Sequence, residues 1–184
     1  MVTSAKEKSS WSPWYRSDDH LAKAAVPHSP GVYEIRTDFE FGRLKGSSSL
    51  VTIGSAKDSL SKRLYEQRFG NPVRYLNRAE KWLVYEDHIL EFRYFPVTTD
   101  KEARCLEAER LFEYECEHGE LPPGNEVLPR SIIIKQIEEK GGGKSAEKTI
   151  KDLLRQQLTP KQVASILGTT KEIIHSLTVF WGIK

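Results

Sequence analysis

Three side chains in this 184-residue sequence could act together on a phosphate group: Tyr33, Arg63 and Glu107. An arginine recognises phosphate oxygens with paired hydrogen bonds, and a carboxylate can hold a divalent cation. A phenol can serve as a base at neutral pH only if a nearby cation lowers its pKa from about 10. Because phosphodiester hydrolysis needs a nucleophilic water, charge neutralisation and help for the leaving group, these residue types suit that reaction.

Each of the three residues also has an ordinary structural explanation. A strand tyrosine such as Tyr33 is most often a core residue whose hydroxyl is hydrogen-bonded. Arg63 could be one of several charges on a solvated helix, although it shares a helical face with Leu60 and is therefore expected near the boundary of the buried stripe. Glu107 shares a helical face with apolar residues, where a carboxylate is costly unless it binds a metal or is paired, for example with Arg104 or Arg110.

Tyr33 belongs to a predicted β-hairpin. Hydrophobic residues alternate over residues 32–37, which predicts a strand after the Pro-Gly turn. The next stretch, 38–49, contains two glycines and three serines and is interpreted as a long connection. Residues 50–53 are predicted as the partner strand, and Gly54 is expected to end it.

Arg63 lies on a predicted helix that begins at the N-cap Asp58 and stops at Gly70. Three further elements are predicted beyond it: a loop or short helix over residues 71–80, and strands over 82–85 and 89–97.

The helix that carries Glu107 has a clear start, because Thr99 and Glu102 have the spacing of a capping box. This helix is predicted to run from about Asp100 to Glu117. The chain is therefore expected to be an α+β protein, with a small mixed or antiparallel sheet flanked by helices.

The C-terminal residues are interpreted as a separate small unit. The three glycines at 141–143 predict a flexible joint, so the linker is placed at 141–144. The domain before it would cover 1–140, with an extension over 1–29 that packs back on it. The domain after it, 145–184, would be all-α. The sequence Thr159-Pro160-Lys161-Gln162 predicts the start of the second of its three helices, and Gly168 predicts its end. The last two helices, joined by a turn with this glycine, resemble a helix-turn-helix unit.

Composition excludes few functions. Hydrophobic residues make up 38% and charged residues 29% of the chain. No apolar run approaches the roughly 18 residues of a bilayer span, and the first residues lack a secretory apolar core. A cytoplasmic or nucleoid-associated location without a membrane partner is therefore expected. Cys105 and Cys116 do not have the spacing of zinc ligands, so a zinc site is not expected. Residues 141–184 hold seven basic against three acidic side chains, which fits nucleic-acid binding and, nearly as well, a solvated surface.

Taken in order, the motifs resemble the GIY-YIG nuclease superfamily over about residues 30–126. Five stretches carry the resemblance: Gly31-Val32-Tyr33, Thr52-Ile53-Gly54, the helical Lys62-Arg63-Leu64, Leu106-Glu107 and Pro122-Pro123-Gly124-Asn125. Valine replaces the isoleucine of the first signature, and Thr52 replaces the tyrosine of the second.

The resemblance implies a DNA endonuclease that depends on Mg²⁺ or Mn²⁺. Glu107 would hold the metal, Arg63 would contact the scissile phosphate, and Tyr33 would orient or activate the attacking water. Thr52 would stand in the catalytic site as a hydrogen-bond donor. The expected supporting residues are Gly54, Tyr65, His88 and Asn125. The expected contacts to double-stranded DNA are Lys57, Lys62, Lys161, Lys171 and His175.

Two alternatives remain open from the sequence. Thr52 cannot form a phenolate, and Gln67 stands where members of the superfamily often carry His or Tyr. Tyr65 or His88 could compensate for this, or the chain could bind DNA on a nuclease scaffold without hydrolysing it. The other alternative is a helical interaction module that self-associates, which keeps a homodimer open.

Overall fold

The computed structural model describes residues 10–69 and 78–183. Its elements in chain order are β1 (Tyr15–Arg16), α1 (His20–Ala25), β2 (Gly31–Gly42), β3 (Ser47–Ala56), α2 (Lys62–Phe69), α3 (Arg78–Tyr85), β4 (Leu90–Pro96), α4 (Asp100–His118), α5 (Arg130–Lys140), α6 (Ala146–Arg155), α7 (Pro160–Leu167) and α8 (Lys171–Phe180). Helix α2 has the hydrogen-bond pattern of a π-helix. The predicted α+β class is confirmed.

The four strands form one antiparallel sheet in the order β1-β4-β2-β3. In its centre Tyr33 of β2 lies opposite Tyr94 of β4, and Ile35 lies opposite Phe92. Because alternate residues of a strand share a face, these four side chains lie on the same side of the sheet. All four are buried.

The hairpin differs from the predicted one. Strands β2 and β3 extend through most of the predicted long connection, so that only residues 43–46 link them. The Arg43 amide donates to the Gly46 carbonyl at 3.0 Å, and Gly46 has a φ of 71°. The prediction failed because the glycines and serines of residues 38–49 indicate a loop, whereas exposed Asp38 and Glu40 alternate with half-buried Phe39 and Phe41 and continue the strand.

Residues 82–85 were predicted as a strand but form the last turns of α3. Glu80 and Leu83 are both buried, and residues three apart share a helical face. The helix ends where Asp87 takes a φ of 60° and the His88 amide donates to the Leu83 carbonyl at 3.0 Å. Burial of this face outweighs the β propensity of the segment.

Several helix starts agree with their capping signals. Glu102 and Thr99 form the predicted capping box at α4, with a distance of 3.1 Å from the Glu102 amide to Thr99 Oγ1. Before α2, the N-cap is Ser59 rather than Asp58, since Ser59 Oγ accepts from the Lys62 amide at 3.1 Å. The predicted helix end at Gly70 and most of the predicted loop at 71–80 lie outside the described residues.

The N-terminal extension packs on the sheet from residue 11 onward, as expected. The Ser12 amide donates to the Tyr94 carbonyl at 2.9 Å. On the face opposite Tyr33, the Arg93 guanidinium lies 4.7 Å from the Trp14 ring centre and pairs with the buried carboxylate of Glu34 at 2.5 Å.

The chain forms two compact units. The first takes in the described residues of Met1–Phe39 and Ser49–Ala103, and the second those of Glu40–Ser48 and Arg104–Lys184. The domain boundary predicted at 141–144 stays a prediction. None of the helices in the two described ranges has the length and hydrophobicity of a membrane span.

Candidate functional site

Tyr33 and Gly54 meet where β2 and β3 run side by side. A Cβ atom added to Gly54 would lie 2.5 Å from Tyr33 Oη and 2.6 Å from Tyr33 Cζ. Only glycine leaves room for the tyrosine ring in this arrangement. Gly54 was expected to end the strand, but β3 continues to Ala56. The glycine therefore serves the close approach of the phenol rather than a turn.

Tyr33 is fully buried on the sheet face that α2 covers. A Cβ on Gly31, two residues before it, would overlap the Leu60 side chain just before α2. The rings of Tyr65 and Phe69 from α2 contact Phe92, with centres 5.7 Å and 5.5 Å away. The Tyr33 hydroxyl is thus shielded from solvent, as in a core tyrosine.

Thr52 lies on the same face of the sheet, two residues before Gly54. Its hydroxyl donates a hydrogen bond of 2.6 Å to Oε1 of Glu80 on α3. Thr52 is 1% exposed and Glu80 is 0% exposed, so the pair is inaccessible to solvent. The residue at the position of the second signature tyrosine is therefore hydrogen-bonded to a buried carboxylate.

Glu80 was not predicted as a site residue, because it lies next to a segment that was predicted as a strand. The signal that could have found it is the helical spacing of Glu80 and Leu83. Residues 71–77, which precede α3, lie outside the description.

Arg63 lies on α2 between Leu60 and Leu64, which are both fully buried. Arg63 itself is half-buried, and its Nε atom is shielded from solvent. π-Helical turns occur often at functional sites, and here one carries both Arg63 and Tyr65. The arginine is placed at the edge of the buried stripe, as its spacing predicted.

Tyr65 and His88 were expected to compensate for Thr52 and Gln67, which depart from the pattern that the sequence resembles. Burial raises the pKa of Tyr65 to about 12, which keeps its phenol protonated at neutral pH. His88 Nδ1 lies 3.3 Å from Asp38 Oδ1, and its ring packs on Phe39. Asp38 is five positions from Tyr33, or about 17 Å along the strand. His88 therefore lies beside the middle of β2, away from Tyr33. The side chain of Gln67 is outside the described part of the chain.

Glu107 is half-buried on α4 and belongs to the second unit, whereas Tyr33, Thr52 and Arg63 belong to the first. Burial raises the pKa of the neighbouring carboxyl of Glu109. No group of three or more His, Cys, Asp or Glu side chains suited to a metal is present within 10–69 and 78–183. A metal at Glu107 would thus depend on water and substrate oxygens for most of its ligands.

Asn125, the last supporting residue of the predicted site, is half-buried in the turn after α4. Its amide donates to the Pro122 carbonyl at 2.9 Å. The turn therefore fixes the backbone of the residue that resembles the superfamily's asparagine.

The five predicted DNA contacts are all exposed: Lys57, Lys62, Lys161, Lys171 and His175. The last three lie on α7 and α8, whose inner faces are apolar and buried. Gly168 joins the two helices in the left-handed conformation, with a φ of 55°. The four lysine side chains are thus available to an anionic partner.

Comparison with known proteins gives no match: no family model, no curated protein and no solved structure corresponds to the chain. The resemblance to GIY-YIG nucleases therefore stays a prediction from the motifs.

Proposed function

We propose that the chain is a divalent-metal-dependent DNA endonuclease of the GIY-YIG type, with α7 and α8 as a helix-turn-helix-like unit that docks on duplex DNA. The observation that carries the proposal is the contact of Tyr33 with Gly54. It joins the two signature segments on one face of the sheet, next to the helix that carries Arg63.

In this proposal Arg63 supplies the positive charge. A guanidinium at the edge of a buried stripe is restrained on one side and can form paired hydrogen bonds to a phosphate on the other. Charge that builds up on the phosphate during hydrolysis would be neutralised there. Tyr33 acts by position, because its hydroxyl is buried.

The metal requires only one carboxylate from the protein. Mg²⁺ keeps several of its waters and commonly binds through one or two carboxylates together with substrate phosphate oxygens. The half-buried Glu107 fits that donor set. When bound, the metal would lower the pKa of a water and polarise the phosphate.

A second function is favoured by a specific observation: the chain binds DNA but does not cleave it. Tyr33, Thr52 and Glu80 are all buried, so none of them meets solvent or a substrate in this conformation. The buried side chain of Glu80 also lies on the face where a phosphate would be expected. Both features would impair hydrolysis while leaving the exposed lysines able to bind DNA.

Cleavage of supercoiled plasmid with Mg²⁺ or Mn²⁺ distinguishes the two functions. The endonuclease proposal expects nicking or linearisation that is lost in Arg63→Ala and Glu107→Ala, with Arg63→Lys weak because lysine cannot form the paired hydrogen bonds. Glu126→Ala, which removes an exposed carboxylate, is the matched control for Glu107→Ala. Salt-sensitive DNA binding without cleavage by any variant would support the second function and exclude the first.

A further inference from the structure

The turn between α5 and α6, residues 141–145, is unusually open. Gly142 and Gly143 have φ values of 70° and 80°, and a Cβ added to either would meet nothing within 4 Å. Residues 142–145 are all exposed. The backbone of the turn is therefore accessible from solvent without obstruction by side chains.

This turn presents several backbone N–H groups. Within the described chain, the amides of Gly142, Lys144, Ser145 and Glu147 donate no hydrogen bond to another protein group. The last of these belongs to the first turn of α6, a ten-residue helix whose N-terminus carries partial positive charge. Such unpaired donors at a helix N-terminus bind anions.

Two cations flank these donors. Lys144 and Lys148 are exposed, and neither makes an ion pair with another described residue. Lys151, one turn further on, is already paired with Glu147 at 2.6 Å. The two lysines are thus available to the same anion as the backbone amides.

The buried hydroxyl of Thr149 faces the turn. Thr149 is 8% exposed, and its Oγ1 has no hydrogen-bond partner. This atom lies 2.7 Å from where a Cβ on Gly141 would be, so it faces the first glycine of the turn. A buried hydroxyl without a partner is costly, and an anion in the turn would offer it one.

The carboxylate of Glu138 lies at the N-terminus of α6. Glu138 Oε1 accepts a long hydrogen bond of 3.4 Å from the Ala146 amide at the start of α6. This bond and the one from the Lys148 amide to Ser145 Oγ occupy two donors of the first turn and leave the amides of Gly142, Lys144, Ser145 and Glu147 unused. Glu138 would compete with an incoming anion, and its neutralisation should therefore strengthen anion binding.

We propose that residues 141–145 and the first turn of α6 bind one phosphate group of the DNA backbone. The assignment rests on the proposed DNA-binding function and adds a contact outside α7 and α8. The phosphate would accept hydrogen bonds from the free amides, and Lys144 and Lys148 would neutralise its charge. This contact carries no base specificity, because it reaches only the backbone.

The first test measures duplex binding against salt for Lys144→Gln and Lys148→Gln. Loss of one phosphate contact lowers the slope of log K against log salt by about 0.9, which corresponds to about 8-fold weaker binding at 0.1 M salt. Arg155→Gln is the matched control, because it removes one exposed charge about 14 Å away along the same helix. Glu138→Gln should increase affinity. Equal effects of Lys144→Gln and Arg155→Gln would show diffuse attraction and overturn the site.

The second test follows backbone amide resonances on addition of duplex DNA or inorganic phosphate. Shifts confined to Gly142, Lys144, Ser145 and Glu147 support the site, and their weakening in Thr149→Val supports the role of the hydroxyl. Shifts with DNA alone assign a backbone phosphate, whereas shifts with phosphate alone assign a free anion and refute the DNA contact. If the wild type binds no DNA, the proposed function fails. The titration with inorganic phosphate then tests the anion site independently. Amide resonances that do not shift in that titration would refute the site.

Discussion

Replacing Gly54 with alanine should place a methyl group inside the side chain of Tyr33. The new Cβ would lie 2.5 Å from Oη and 2.6 Å from Cζ, whereas ordinary contacts begin at 3.4 Å. The ring would have to move by about 1 Å, and it is fully buried under α2. The substitution therefore tests whether the two signature segments pack as described.

The expected cost follows from overpacking a rigid core. Such changes destabilise proteins by about 1–3 kcal/mol. In a chain of this size each kcal/mol lowers Tm by about 2–4 °C, so a decrease of at least about 2 °C is expected. Tyr33→Leu removes both overlapping atoms. The double substitution should therefore cost less than the sum of the two single ones, by about 1 kcal/mol or more.

Thermal and urea unfolding of the four proteins in this cycle provide the measurement. Gly42→Ala is the matched control, because its Cβ would meet nothing within 4 Å and its φ is not positive. We expect the control to change stability by no more than about 0.5 kcal/mol. If Gly54→Ala unfolds at the same temperature as Gly42→Ala, or if the cycle is additive, the contact does not exist as described.

Three further predictions concern other features of the chain. Thr52→Val leaves the buried Glu80 without this donor and should cost about 1–3 kcal/mol in urea unfolding, whereas Thr52→Ser keeps the hydroxyl and should cost less; equal losses would contradict the hydrogen bond. The pKa of Tyr65, raised by burial to about 12, means that the unfolded chain ionises first, so the stabilisation is complete below about pH 10 and is lost as pH rises through 12. Tyr65→Phe should flatten that alkaline decline, and an unchanged decline would assign it elsewhere. Thr159→Ala breaks the capping box of α7 and should lower stability by about 0.5–2 kcal/mol, measured by circular dichroism during thermal unfolding, with Ser165→Ala on the exposed face as control.

Local signals predicted the helices of the second half well. The capping boxes at Thr99 and Thr159 mark true helix starts, because they are hydrogen bonds between residues three apart that form in any context. Gly168 ends α7 in the left-handed conformation for a similarly local reason. The strand β4 was also found, since its buried and half-buried residues alternate.

The first half was harder because its elements are decided by partners far away in the chain. The outer ends of β2 and β3 pair through the backbone, although two glycines and three serines give this stretch the composition of a loop. Helix α3 contains residues that favour strands, yet the burial of Glu80 and Leu83 keeps it helical. Ser59, and not Asp58, caps the helical segment before α2, because the Ser59 hydroxyl is the one that accepts from the Lys62 amide.

The sequence by itself determined which residue types are available: a strand tyrosine, a helical arginine at the edge of an apolar stripe, and a carboxylate on a capped helix. Only the tertiary structure decided that Gly54 makes room for Tyr33 and that Thr52 hydrogen-bonds to Glu80. The physical reason is sequence separation. Capping joins residues three apart, whereas Thr52 and Glu80 are 28 residues apart and meet only once the sheet and α3 have packed.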